Sequence, residues 1–220
     1  LKSGGELRLE NNPAQWPGGN FNWNDGGTLS IGADGELELP NPLTIASGRT
    51  LKVDGTLRNF GHNLTIGTNG SLIVNGSFIL HNTATLVNNS SGLMTLNGLL
   101  KFKNNSTLTN NGAIDLNTGG ELFYNANSST MPGAVFNWNS GSVRIGGNGN
   151  LDVTGSYTIP LDGTLLINGI MELNGTITNF GDWTLNGGGN LILNNSSATW
   201  PDSNFVWETA STMTVGSKHL

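Results

Sequence analysis

The sequence predicts an all-β, single-stranded parallel β-helix, a solenoid built as one domain over residues 1–220. About three short strands make each turn of roughly 20–23 residues, and about ten turns make the rod. Three observations predict it. Gly149, Gly169 and Gly189 recur every 20 residues, as do Leu151, Met171 and Leu191, and Val153, Leu173 and Leu193. Apolar and polar residues alternate with period 2, and no amphipathic helical stretch exceeds a turn or two. Asn-Gly, Asp-Gly and Gly-Gly pairs close the short segments and supply the corners that tolerate positive φ.

Taken in order, the strand segments begin with LSIG at 29–32, ELEL at 36–39, LTIASG at 43–48, TLKVDG at 50–55 and NLTIGTNG at 63–70. They continue with SLIVNG at 71–76, MTLNG at 94–98, IDLN at 114–117, VRIGG at 143–147 and LLING at 165–169. Residues i and i+2 share a face, so each apolar pair points into the lumen and packs on its counterpart one turn away. We expect one side to carry Leu29/Ile31, Leu43/Ile45, Val143/Ile145 and Leu165/Ile167, and a second Leu37/Leu39, Leu51/Val53, Leu72/Val74 and Leu151/Val153. The short step from Leu37 to Leu51 falls at Pro40-Asn41-Pro42, where one strand side is expected to be missing, since proline cannot donate to a ladder. Residues 1–20 are the expected N-terminal cap, and the pattern at Thr214-Val215 is expected to run on uncapped into a longer protein. Open ends make end-to-end or side-by-side self-association an expectation.

Composition fits many tight turns. The chain has 33 glycines and as many asparagines, and only 11% of its residues are charged, against about 25% in ordinary domains. Its net charge of -6 and the lack of any run of basic residues argue against nucleic acid. No apolar run is long enough to insert in a membrane. Cysteine is absent, which excludes disulfides and thiolate metal sites.

A larger repeat overlies the turns: WPGGNFNWNDGG from residue 16, MPGAVFNWNSGS from 131 and WPDSNFVWETAS from 200. Their phenylalanines lie 115 and then 69 residues apart, near multiples of 23, so the element is expected to return on one side after whole turns. Phe21/Trp23, Phe136/Trp138 and Phe205/Trp207 could stack on sugar rings or fill the core. The intervening asparagines match an inward-apolar, outward-polar pattern and favour the core. Trp16 and Trp200, each before a proline, are the better candidates for exposed, ligand-binding rings.

Asp152 and Glu172 occupy the same outward position one period apart and join Trp16 and Trp200 as candidate ligand-binding residues. Stacked carboxylates about 5 Å apart could serve acid/base chemistry or a cation, although two solvated side chains give the same pattern. Glu38 and Lys52 are expected to stack as an exposed ion pair. His62, His81 and His219 are isolated, no triad spacing occurs, and GGNGNLD at 146–152 misses the calcium nonapeptide by one place. No catalytic residue, metal site or cofactor is therefore assigned. Ile73, Ile79, Phe123, Leu166 and Ile192 stand where alternation wants polar groups and are candidate interface residues. Thr44, Thr65, Thr109, Thr184 and Thr214 are expected to share one outward face.

The G-x-L-x-V-x-G-x-L grammar of GSLIVNGSF (70–78) and GNLDVTGSY (149–157), with NNGAIDLN (110–117) and TLRNFG (56–61), resembles the parallel β-helix repeats of large bacterial secreted adhesins. Filamentous-haemagglutinin-like exoproteins and repeat-rich surface proteins are that class. The resemblance implies a secreted or cell-surface, non-catalytic structural or adhesive rod whose partners are glycans or other surface proteins. Two other readings remain open: a polysaccharide-acting β-helix enzyme (lyase or tailspike-like hydrolase) and an ice-binding solenoid.

Overall fold

A computed structural model describes residues 1–16, 22–133, 135–194 and 204–216. The chain winds as a parallel β-solenoid of about nine turns, all-β and without a helix among the described residues. Every strand pairing is parallel. Leu151 stacks on Met171, and Met171 on Leu191, as the 20-residue recurrence requires.

Sheet B carries nine strands: Glu36–Glu38, Thr56–Phe60, Ser77–His81, Leu99–Asn104, Glu121–Ala126, Gly141–Ile145, Gly163–Ile167, Asp182–Leu185 and Phe205–Trp207. It runs the length of the rod without a break. The other two sides each change ladder partway. One begins as sheet A, seven strands from Glu6–Leu9 to Val135–Trp138, and resumes as sheet E, Ser156–Ile159 and Thr176–Asn179. The other begins as sheet C, four strands from Leu43–Ile45 to Thr107–Asn110, and resumes as sheet D, five strands from Ser129–Thr130 to Thr212–Val215. Across the first break the rings of Phe136 and Tyr157 meet edge to face at 6.3 Å.

Columns of Leu, Ile, Val and Met fill the lumen, from Leu29 and Leu51 through Leu72, Met94 and Ile114 on sheet A, all fully buried. Each buried aliphatic side chain contributes about 1.5–3 kcal/mol, and stacking makes the core continuous. The corner between sheets A and B explains the abundance of asparagine and glycine. Asn139 donates its side-chain amide to Asn117 at 3.0 Å, Asn117 to Asn97 at 2.9 Å, Asn97 to Asn75 at 2.8 Å, and Asn75 to Asp54 at 2.7 Å. Beside this ladder, a Cβ on Gly76 would lie 2.1 Å from the carbonyl oxygen of Gly55, so only glycine fits.

Several sequence-based placements are corrected. Leu29/Ile31 belong with Leu51/Val53 on sheet A, while Leu37 pairs with Leu57 on sheet B. No side is missing at Pro40-Asn41-Pro42: the prolines occupy the corner before the strand Leu43–Ile45, and all three sides are present. Val143 and Leu165 continue sheet B from Leu122. Glu38 faces Arg58, and Lys52 instead pairs with Asp54 at 2.8 Å. Thr44, Thr65 and Thr109 share a column with Val87 on sheet C, and Thr214 lies past the break on sheet D of the same side, but Thr184 lies on sheet B. The common cause is that apolar alternation is the same on every side and cannot label the side. From the segment expected as a cap, Glu6–Leu9 forms the outermost rung of sheet A, and residues 17–20 lie outside the described residues.

Candidate functional site

The outer face of sheet B gathers the chemistry that the linear sequence disperses. One outward column runs Glu38, Arg58, Ile79, Lys101, Phe123, Arg144, Leu166, Thr184 and Val206 on successive rungs. In its middle, cation and apolar side chain alternate three times. Three of the five candidate interface residues, Ile79, Phe123 and Leu166, stand here in line. Ile73 lies apart on sheet A between Lys52 and Thr95, and Ile192 on sheet D beside Glu172.

Phe123 is the centre of the column. Its ring points outward yet is only 8% exposed, because Lys101 and Arg144 cover it from either side. The Lys101 ammonium lies 4.4 Å from the ring centroid and the Arg144 guanidinium carbon 3.8 Å. Each such contact is worth about 0.5–2 kcal/mol. Arg144 donates through Nε to Glu121, and Arg58 through Nε to Glu36. An arginine has five donors, so the terminal amino groups of both remain for a second acceptor. Lys101 and Lys103 form no ion pair among the described residues.

A second track flanks the first, two residues further along each strand. Phe60 and His81 sit on adjacent rungs and their rings stack at 4.4 Å with a 17° tilt. Lys103 follows on the next rung, since Leu80 pairs with Phe102. Burial lowers the pKa of His81, and Lys103, Arg58 and Lys101 lower it further. Burial likewise lowers that of Lys101, helped by Lys103 and Arg144 and opposed by Glu121. Although the sequence has no run of basic residues, four of the chain's nine lysines and arginines, Arg58, Lys101, Lys103 and Arg144, share one face. The fold collects residues 43 positions apart, Arg58 to Lys101 and Lys101 to Arg144, because that interval spans two turns.

Asp152 and Glu172 are direct neighbours on sheet D, as the period predicts. Each carboxylate is held by an amide: Asn174 donates to Asp152 at 2.8 Å and Asn150 to Glu172 at 3.3 Å. Thr130 lies below the pair and Ile192 above it. No group of three metal-ligating side chains occurs among the described residues. Two recesses mark the ladder breaks, one of about 220 Å³ lined by Phe136, Ser156 and Tyr157, the other of about 200 Å³ lined by Leu108, Tyr124 and Ser129. Neither is lined by a carboxylate.

Trp16 is half-buried against the core, and Trp200 lies outside the described residues. The Phe-x-Trp element proves to be a corner device. The indole N–H donates to a turn carbonyl in each copy: Trp23 to Gly27 at 2.8 Å, Trp138 to Gly141 at 3.4 Å and Trp207 to Ser211 at 3.4 Å. Trp23 and Trp138 are buried, whereas Trp207 is half exposed. The copies do not return to one side, contrary to expectation. Trp138 ends a strand of sheet A, Trp207 one of sheet B, and the turn after Trp23 stacks on the one that follows Leu43–Ile45 of sheet C. The element closes whichever corner follows it, so its spacing need not count whole turns.

Compared with protein families, curated proteins and solved structures, the chain has no match.

Proposed function

We propose that the chain is a non-catalytic structural and adhesive rod of a secreted or cell-surface protein, which makes its lateral contacts through sheet B. One observation carries this reading. Sheet B is a single ladder of nine strands that spans both breaks of the other sides, so its outer face is the long continuous surface of the molecule. The likeness to adhesin β-helix repeats agrees with it, because a coil whose corners are closed by amide ladders gains length without needing a cleft. Apart from sheet B, the neighbours Asp152 and Glu172 stand on sheet D and line neither of the two recesses at the ladder breaks.

Those two carboxylates favour the second reading, a polysaccharide-cleaving enzyme, and one experiment separates the two. The chain is incubated with neutral, uronate-bearing and sulfated polysaccharides, and their chain length is followed by size-exclusion chromatography with light scattering. A rod leaves the polymers intact. Depolymerisation lost in Asp152→Asn or Glu172→Gln replaces the rod with an enzyme. Thermal hysteresis in the same preparation replaces it with an ice-binding protein, for which the threonines of sheet C would answer.

A further inference from the structure

We infer that the outer face of sheet B is a binding track for a linear acidic polysaccharide carrying one carboxylate per disaccharide, laid parallel to the rod axis. The inference rests on the rod reading and adds its ligand class.

Spacing carries the argument. Neighbouring rungs of a sheet are about 4.8 Å apart, so Arg58, Lys101 and Arg144, on every second rung, repeat at about 9.6 Å. That interval is the length of one disaccharide in an extended glycan. A polymer with an acid on every residue would present charges twice as often as the track supplies cations. Beside the cations stand Ile79, between Arg58 and Lys101, and Leu166, beyond Arg144, as half-buried apolar platforms, while Phe123 lies beneath Lys101 and Arg144 and fixes where their charges stand. A pyranose ring has an apolar face of C–H groups that stacks on such surfaces, while its carboxylate reaches the flanking cation. The six rungs from Arg58 to Leu166 offer roughly 24 Å of track. Lys103, His81 and Phe60 widen it on one side, and the Nε2 of His81 is buried without a hydrogen-bond partner.

Charge complementarity points the same way. The chain carries net charge -6, yet from the rung of Arg58 to that of Arg144 sheet B presents Arg58, Lys101, Lys103 and Arg144 against Glu121, with Glu36 reaching Arg58 from the rung before and Glu38 closing that end of the column. A polyanion is repelled by the rest of the rod and steered to this face. Nucleic acid is the competing polyanion. Its phosphates are spaced more closely than the cations here, and its recognition draws on a denser basic stripe than this one.

The test is a binding titration by biolayer interferometry with the full chain immobilised. Hyaluronan oligosaccharides supply one carboxylate per disaccharide, and their carboxyl-reduced forms, polygalacturonate and single-stranded DNA serve as comparisons. We expect hyaluronan to bind best and its carboxyl-reduced form at least tenfold more weakly. Lys101→Gln should weaken binding about tenfold, the size expected for one charge-assisted contact, and Lys101→Arg should restore it. Phe123→Ala should weaken it too, while Lys52→Gln on sheet A should not. Far-ultraviolet circular dichroism shows whether each variant keeps its fold. No binding, equal binding to the reduced or nucleic acid polymer, or indifference to both Lys101→Gln and Phe123→Ala overturns the inference. None of these results bears on whether the chain is a rod, which the turnover assay decides.

Discussion

Asn75 donates its side-chain amide to Asp54 at 2.7 Å, and that bond is the foot of the asparagine ladder at the corner between sheets A and B. Every amide above it donates in the same direction, so the last acceptor must take a hydrogen bond and give none. A carboxylate does this better than an amide. Burial pushes the Asp54 carboxyl up, but the bonds from Asn75 and Lys52 outweigh it and hold the pKa below the usual 3.8.

Asp54→Ala should therefore cost about 1–2 kcal/mol of stability at neutral pH, the range for a charge-assisted bond that is partly exposed. The sign of its pH dependence follows from the depressed folded pKa. The contribution is complete above 3.8, the ordinary value, and is lost as pH falls through the lower folded one. Urea unfolding of both proteins from pH 7 to pH 2 should show the two curves converging at the acid end. Parallel curves would remove Asp54 from the account.

At the same corner, Gly76→Ala places a methyl group against the backbone oxygens of Gly55 and Asp54 at 2.1 and 2.3 Å. Backbone cannot swing aside as a side chain can, so we expect a loss of about 1–3 kcal/mol. Gly133→Ala meets nothing within 4 Å and should be close to neutral. Thermal unfolding of the pair measures the contrast.

His81 carries a second pH dependence. Burial first, then Lys103, Arg58 and Lys101, hold its folded pKa below 6.5. The folded protein binds that proton less readily than the unfolded one. The resulting stability is complete above pH 6.5 and declines as pH falls through the lower folded value. His81→Gln should flatten the stability profile between pH 7 and pH 5, read by urea midpoints. An unchanged slope would show that burial and the neighbouring cations do not hold His81 below its ordinary value.

Much of this architecture was legible in the sequence, and the limits have physical causes. Leu151, Met171 and Leu191 announced the ladder because sheet D keeps a constant 20-residue turn there. The other ladders drift: Leu29 to Leu51 is 22 residues, Leu51 to Leu72 is 21, and Leu165 to Trp183 only 18. With a drifting step and the same alternation on every side, the sequence does not separate the side of Leu37 from that of Leu51. The strands Thr85–Asn88 and Thr107–Asn110 give a weak signal, because Asn88 and Asn110 stand where apolar alternation wants a second inward apolar residue. Alternation alone groups Ile79, Phe123 and Leu166 with Ile73 and Ile192 as outward apolar residues, without saying which of them share a column. Their alignment, and the cations between them, required the register. Only the 43-residue interval between Arg58, Lys101 and Arg144 hinted at it.

The corner role of the Phe-x-Trp element is testable by Trp138→Phe. That change keeps the aromatic bulk and removes the N–H that reaches Gly141. The expected loss is about 1 kcal/mol, one hydrogen bond's net worth. Trp207→Phe should cost less, because Trp207 is half exposed and its carbonyl partner can turn to water. No loss at Trp138 would mean that the corner bond is not what the element supplies.

The proposed contact surface exists only if the ladder of sheet B crosses both breaks of the other sides. The chain has no cysteine, so Glu38→Cys with Val206→Cys gives two unique sites for spin labels at the ends of one outward column. Eight rungs separate them, and double electron–electron resonance should return a single narrow distance of about 38 Å. A broad distribution, or a distance shorter by several rungs, would mean that the rod bends or separates where sheets A and C give way to E and D.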